Sequence, residues 1–228
     1  MTCKIPNNQL IAIIGPNGAG KTTLIKTILK MVTHQSGSIH YNYDLNDVSY
    51  IPQQMDFDWY FPITVHDFIL TGTYGKYSML KPIPKSKRDE CHKLIERLGL
   101  SGKENDQIET LSGGQKQKVL LARALARDSK ILIFDEPFSA IDDQSKQDIM
   151  AVLSKIKRDG KTAIIINHDI QMVRALYDWV VMINAVHVCS GPSSEVLTDD
   201  NIKRMYKARA SLIESIARET QKKHTGNI

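Results

Sequence analysis

The chain has 228 residues, and its 30 Lys and Arg against 25 Asp and Glu give a net charge of +5 with no basic block. A nucleic-acid surface is therefore not expected, and no nucleic-acid partner is assigned. The three cysteines, Cys3, Cys91 and Cys189, are an odd number without metal-ligand spacing, which argues against a disulfide framework or a zinc site. No apolar run approaches the roughly 20 residues of a spanning helix, and the start, Met1-Thr2-Cys3-Lys4-Ile5-Pro6, lacks the apolar core of a signal peptide. The expectation is a cytosolic chain that does not cross a membrane by itself.

Residues 1–9 leave room for at most one short strand. The run Leu10-Ile11-Ala12-Ile13-Ile14 then reads as a buried strand, and Thr23 to Leu29 as a helix. Between them lies Gly15-Pro16-Asn17-Gly18-Ala19-Gly20-Lys21-Thr22. Glycines let such a loop curl until its N–H groups face inward, Lys21 adds a point charge, and the Thr22 hydroxyl can take a place on magnesium. The implied ligand is a nucleoside triphosphate. Gly37 to Tyr41 and Val48 to Ile51 read as strands, the second stopped by Pro52 before Gln53 and Gln54.

From Met55 the texture becomes acidic and aromatic, through Asp56-Phe57-Asp58-Trp59-Tyr60-Phe61-Pro62, and Thr64 then caps an apolar-periodic run. Tyr74 to Ser86 reads as a loop and Lys87 to Leu98 as a helix closed by Gly99. Nothing here alternates like a strand, so residues from about 55 to 127 are expected to form a helical insertion in a sheet domain. Within it, Leu111-Ser112-Gly113-Gly114-Gln115 precedes a helix placed at Lys118 to Ala126, a second phosphate-binding device at a positive helix end. Two such devices, too far apart to share one phosphate within a monomer, suggest a dimer.

The sheet resumes with Ile131 to Phe134, whose end carries Asp135 and Glu136. Asp135 can hold magnesium through water and Glu136 can orient and deprotonate an attacking water. A helix from about Gln144 to Lys157, the strand Thr162 to Ile166 ending at Asn167-His168-Asp169, and a hairpin of Trp179 to Ile183 with Val186 to Cys189 complete the pattern. Buried runs bridged by helices indicate a parallel α/β sheet. Ala210 to Gln221 reads as a short surface helix or a frayed tail.

In this order the motifs resemble those of the ATP-binding subunit of an ABC transporter, and the resemblance covers nearly the whole chain. Gly15 to Thr22 resembles its Walker A, Gln53 its Q-loop glutamine, Leu111 to Gln115 its signature, Asp135 and Glu136 its Walker B pair, Ser139 to Asp142 its D-loop, and His168 its switch histidine. The resemblance implies a P-loop NTPase core of RecA type, residues 1–54 and 128–207, with a helical subdomain over about 55–127. Residues 208–228 form a C-terminal extension. It implies ATP and Mg2+ as ligands: Gly15, Pro16, Asn17, Gly18, Ala19, Gly20, Lys21, Thr22 and Thr23 on the nucleotide, and Thr22, Gln53 and Asp135 on magnesium. Glu136, His168 and Gln53 take the catalytic roles. A second copy, packed head to tail, presents Ser112, Gly113, Gly114, Gln115 and Asp142. Asp58 to Asp67 and Ile170 to Met182 are similar to the branch of manganese and zinc importers, a branch that also handles ferrous iron.

The resemblance thus implies an ATPase at the cytoplasmic face of the cell membrane, beneath integral permease subunits and working with an extracytoplasmic metal-binding protein. In the family the permease's coupling helix is received after the Q-loop. An importer ATPase of another substrate branch, a soluble ABC ATPase and a non-hydrolysing regulatory module are the alternatives. Lys118 and Ile141 stand where the family often has Arg and Leu. The family's upstream strands and adenine-stacking aromatic residue have no room before Lys21, so the expectation is an N-terminally shortened chain with weakened, poorly ATP-selective binding.

Overall fold

The computed structural model describes residues 1–53, 57–75, 82–138 and 141–208. In chain order the regular elements are β1 (Leu10–Ile14), α1 (Lys21–Ile28), β2 (Val48–Ile51), α2 (Val65–Leu70), α3 (Lys85–Arg97), α4 (Gly113–Ala126), β3 (Ile131–Asp135), α5 (Asp143–Arg158), β4 (Thr162–Ile166), α6 (Ile170–Leu176), β5 (Trp179–Asn184), β6 (Val186–Pro192) and α7 (Ser193–Val196). A further helix runs over 199–208. The chain divides into two compact units, one of 1–6, 10–39 and 166 onward, the other of 7–9 and 40–165.

In the first unit β1 pairs parallel with β5, Ile11 opposite Trp179 and Ile14 opposite Met182, and β5 pairs antiparallel with β6. Every residue of β1 is buried, as a strand covered on both faces requires, and so its sequence is continuously apolar rather than alternating. The Asp178 carboxylate accepts from the Leu10 N–H at 3.0 Å and fixes where the strand begins. The expected hairpin is present, its turn at Ala185 with φ of 60°. Asn184, buried beside it, donates to the Met205 carbonyl at 2.8 Å and so docks the helix over 199–208.

In the second unit β2 pairs parallel with β3, Val48 opposite Ile131 and Ile51 opposite Phe134, and β3 neighbours β4. α5 buries one stripe, Ile149, Val152, Leu153 and Ile156, the 3.6-residue period of a core-facing helix. Between residues 57 and 127 the described residues form α2, α3, α4 and short 3-10 turns around Phe68, Ile95, Leu98, Ile108 and Val119. The β pairing there is one isolated bridge, Thr64 with Gln107. Thr64 caps α2 as read, accepting from the Asp67 N–H at 3.1 Å.

Two readings are corrected. Gly37 to Tyr41 is not a strand: Gly37 has φ of 92°, and residues 38–41 join no ladder among the described residues. The segment offers one aliphatic residue, Ile39, too little apolar surface to hold an extended run against a neighbour. The helix placed at Lys118 begins instead five residues earlier, at Gly113, because Ser112 caps it there. The readings for Gln54 to Asp56, for residues 76–81 of the loop read from Tyr74 to Ser86, for Ser139 and Ala140, and for the 209–228 tail lie outside the described residues.

Candidate nucleotide site

In the first unit the polypeptide leaves β1 at Gly15, where a Cβ would lie 2.1 Å from the Ile183 carbonyl oxygen. A side chain cannot enter without moving backbone, so the loop hugs the end of β5. The Ala185 N–H, at the β5–β6 turn, donates to the Ala19 carbonyl at 3.0 Å, and Ala19 N–H closes a turn on Pro16 at 3.1 Å. Ala19 is buried, while Asn17, Gly18 and Gly20 are exposed along the loop's outer rim.

Gly20, at φ of 92°, is the N-cap of α1 and provides no side-chain hydrogen bond, and no acidic residue stands in the first turn. The positive end of α1 is thus left without a side-chain cap, which is the arrangement that favours an anion. Lys21 is only 6% exposed. Its ammonium donates to the carbonyls of Gly15 at 3.0 Å and Pro16 at 3.1 Å, so the cation is folded back into its own loop. Thr22 and Thr23 follow in the first turn, Thr22 half-buried and Thr23 exposed.

His168 is exposed just past β4, between the buried Asn167 and Asp169. Asn167 accepts from the Asp169 N–H at 2.9 Å, and Asp169 caps α6 by accepting from the Met172 N–H at 3.0 Å. Both neighbours of His168 are therefore fixed by hydrogen bonds while its ring stays in solvent. Tyr177, whose hydroxyl lies 3.4 Å from the Asn167 amide, is held protonated by burial.

In the second unit β3 delivers Asp135, 2% exposed, at its last position. The Tyr50 hydroxyl on the neighbouring strand is pushed up to about 12, by burial first and then by the Asp135 carboxylate. Glu136 takes φ of 54°, a left-handed conformation that an ordinary side chain seldom adopts. The turn re-aims its carboxylate, which accepts from the Gln53 amide nitrogen at 2.7 Å. Two residues 83 apart in sequence are brought together here.

The signature segment is organised differently. Ser112 accepts from the Gln115 N–H at 3.3 Å, and the Gln115 side chain accepts from the Ser112 N–H at 3.0 Å, a closed capping box on α4. Gly113 meets open space, whereas a Cβ on Gly114 would lie 3.0 Å from Asp142 Oδ2 and 3.1 Å from Ser145 Oγ. Asp142 caps α5, its two oxygens accepting from the Ser145 N–H at 2.8 Å and the Ser145 hydroxyl at 2.7 Å. Those bonds, the backbone one first, hold its carboxyl below the usual carboxylate range.

The residue types present suit a nucleoside triphosphate with magnesium: an uncapped helix start and a buried ammonium for phosphates, and carboxylate, hydroxyl and amide oxygens for a hard cation. The family model described as "ABC transporter" matches residues 1–139. The manganese transport system ATP-binding protein MntB of Bacillus subtilis is 37% identical over 219 residues, 94% of this chain and 88% of the relative. The chain belongs to the ABC transporter family.

Other members of the family are similarly near. The zinc transport system ATP-binding protein TroB of Treponema pallidum is 36% identical over 91% of this chain and 80% of its own length. Among solved structures, the ADP conformation of an ATP-binding cassette of an ABC transporter superposes with a TM-score of 0.73 at 25% identity, covering 87% of each chain. The fold is that of an ABC ATPase, an α/β P-loop NTPase.

Sequence reasoning missed three residues around these motifs. Ala185 pins the phosphate loop, and its signal was a two-residue hairpin turn, though not what the turn would touch. Ser145 holds Asp142, and its signal was the Asp-x-x-Ser spacing of a helix cap. Tyr60, 83% exposed, stands beyond Trp59, whose ring packs 5.5 Å from Phe57 under Lys116 at 5.1 Å. No local pattern separates the two aromatic residues.

Proposed function

We infer that this chain is the ATP-hydrolysing subunit of an ABC importer for a divalent metal ion, manganese or zinc. The observation that carries the reading is the 37% identity to a manganese transport ATP-binding protein over 94% of the chain. Lys21 and the start of α1 neutralise phosphate charge, and Glu136, held by the Gln53 amide, takes a proton from the attacking water. His168 contacts the γ-phosphate. A magnesium ion, held by Asp135, Thr22 and Gln53, would supply Lewis-acid stabilisation of the phosphates. Ser112, Gly113, Gly114, Gln115 and Asp142 act on the nucleotide of a second copy in a head-to-tail dimer.

The same reading gives residues 55–127 as the helical subdomain, places the chain at the cytoplasmic face of the membrane and gives it permease subunits as partners. Among the described residues no helix is long and apolar enough to cross a membrane. The surface offered to the permease is the turn of Tyr60 and Phe61, 83% and 53% exposed. It is made rigid by Asp58, which accepts from the Tyr60 N–H at 3.0 Å through its side chain and from the Phe61 N–H at 3.0 Å through its carbonyl. Trp59 belongs to the Phe57–Phe68 cluster beneath and supports the turn.

The test is uptake of radioactive Mn2+ and Zn2+ into vesicles containing this chain with its permease subunits. The double variant Tyr60→Ala, Phe61→Ala should lose uptake roughly 30-fold or more, the size of losing a buried interface anchor. ATP hydrolysis by the isolated chain should stay within about twofold. Unchanged uptake of both ions would reject this docking surface, and ATP-dependent uptake of neither ion by the unmodified protein would reject the cargo.

A further inference from the structure

On α4, Gly114 and Lys118 are four residues apart and share one face. On α5, Asp142 at the cap, Ser145 and Asp148 recur three apart and share another. These faces meet along one seam. At its tip, Gly114 lies against the Asp142 and Ser145 oxygens so closely that a methyl group would have to displace them. One turn further along, the Lys118 ammonium, its side chain 7% exposed, is paired with Asp148 Oδ2. The second oxygen of Asp148 accepts from the Gln144 amide at 3.1 Å. Gly99, after the end of α3, covers the pair: a Cβ there would lie 3.2 Å from Asp148 Oδ2 and 3.6 Å from Lys118 Nζ.

We propose that Lys118, Asp148 and Ser145 are positioning residues that latch the signature loop to the turn bearing Asp142, so that the two motifs move as one piece during turnover. This rests on the reading of Ser112 to Gln115 as a nucleotide-binding segment. Two points of fixation on one seam remove both sliding and rotation of α4 against the start of α5. The second is an ion pair whose lysine is buried, 7% exposed against 20% for Asp148, and separating it would leave a buried ammonium without its counter-ion. An apolar contact in its place would hold the helices together but would tolerate a shift along the seam. The ion pair allows one register.

The experiment measures kcat and KM for ATP, with thermal melting, on the purified full chain. Replacing the ion pair by an apolar one, Lys118→Met with Asp148→Leu, should keep the melting temperature near the parent's and KM within about twofold. It should lower kcat by roughly 10- to 100-fold, the cost of misplacing a group by about an ångström. Lys118→Arg, which keeps the pair, should retain kcat within about twofold. A parent-like kcat in the folded apolar-pair variant overturns the latch. If that variant does not fold, Ser145→Ala decides in its place: the backbone cap remains, and a lowered kcat at constant KM supports the latch while an unchanged kcat rejects it. Ser112→Arg separates the two readings. If it leaves turnover intact, the nucleotide role of the signature falls and the latch with it; if it abolishes turnover, the pair variants judge the latch alone.

Discussion

The two glycine-flanked helix starts, at α1 and at α4, look alike in sequence and are built in opposite ways. α1 begins at Gly20 with no side-chain cap and with a lysine folded into the loop before it. α4 begins at Ser112 with both members of a capping box closed on each other. An uncapped start leaves its dipole and first-turn donors for a ligand, so the α1 loop is an anion cradle in its own right. A closed cap has already committed the Ser112 hydroxyl oxygen and two N–H donors, so the α4 start suits a contact completed from outside. Under the proposed function, this contrast predicts primary nucleotide affinity at Lys21 and a contact that changes during the cycle at Ser112.

The comparison can be broken most sharply at Lys21. Lys21→Met keeps the chain length but removes the charge, and ATP affinity measured by calorimetry should fall roughly 30-fold or more, as when one partner of a desolvated charge pair is truncated. Retained affinity would mean that the α1 start is not the primary site.

A smaller effect separates the two glycines of the signature. A methyl group on Gly114 meets oxygens at 3.0 and 3.1 Å, whereas on Gly113 it meets nothing within 4 Å. Gly114→Ala should destabilise by about 1–3 kcal/mol, lowering the melting temperature by several degrees. Gly113→Ala should match the parent or exceed it, since alanine favours a helix by up to about 1 kcal/mol. Equal melting temperatures for the two variants would remove the close packing of Gly114 on Asp142 and Ser145.

The smallest effect tests the capping box. Ser112→Ala should cost about 1 kcal/mol, a melting shift of roughly 2–4 °C in a chain of this size. No shift by circular dichroism would show that the box is not closed in solution, and the contrast with α1 would weaken.

What was legible in the sequence follows from how local each feature is. The phosphate loop depends on residues within a short stretch, and β1, β3 and β4 announce themselves as continuous apolar runs. The segment 37–41 was misread because a strand exists only with a partner, and five residues of sequence do not show whether one is there. The α4 start was read late because glycines weigh against a helix, while the Ser112–Gln115 box that overrides them acts through geometry. The Gln53–Glu136 contact and the Lys118–Asp148 pair join distant segments, so spacing along the chain could not indicate them. The aromatic run Trp59-Tyr60-Phe61 looks uniform in sequence, yet Phe57 and Phe68 claim the Trp59 ring and leave Tyr60 and Phe61 outside.

The central claim is that this chain hydrolyses ATP with Glu136 as the base, and it is tested most directly by measuring ATP turnover and ATP binding side by side on the parent and on Glu136→Gln. The substitution keeps the shape and the hydrogen-bonding capacity toward Gln53 while removing the proton acceptor. Turnover should fall by roughly 10²–10⁴-fold with ATP binding preserved. Turnover near that of the parent would contradict the account.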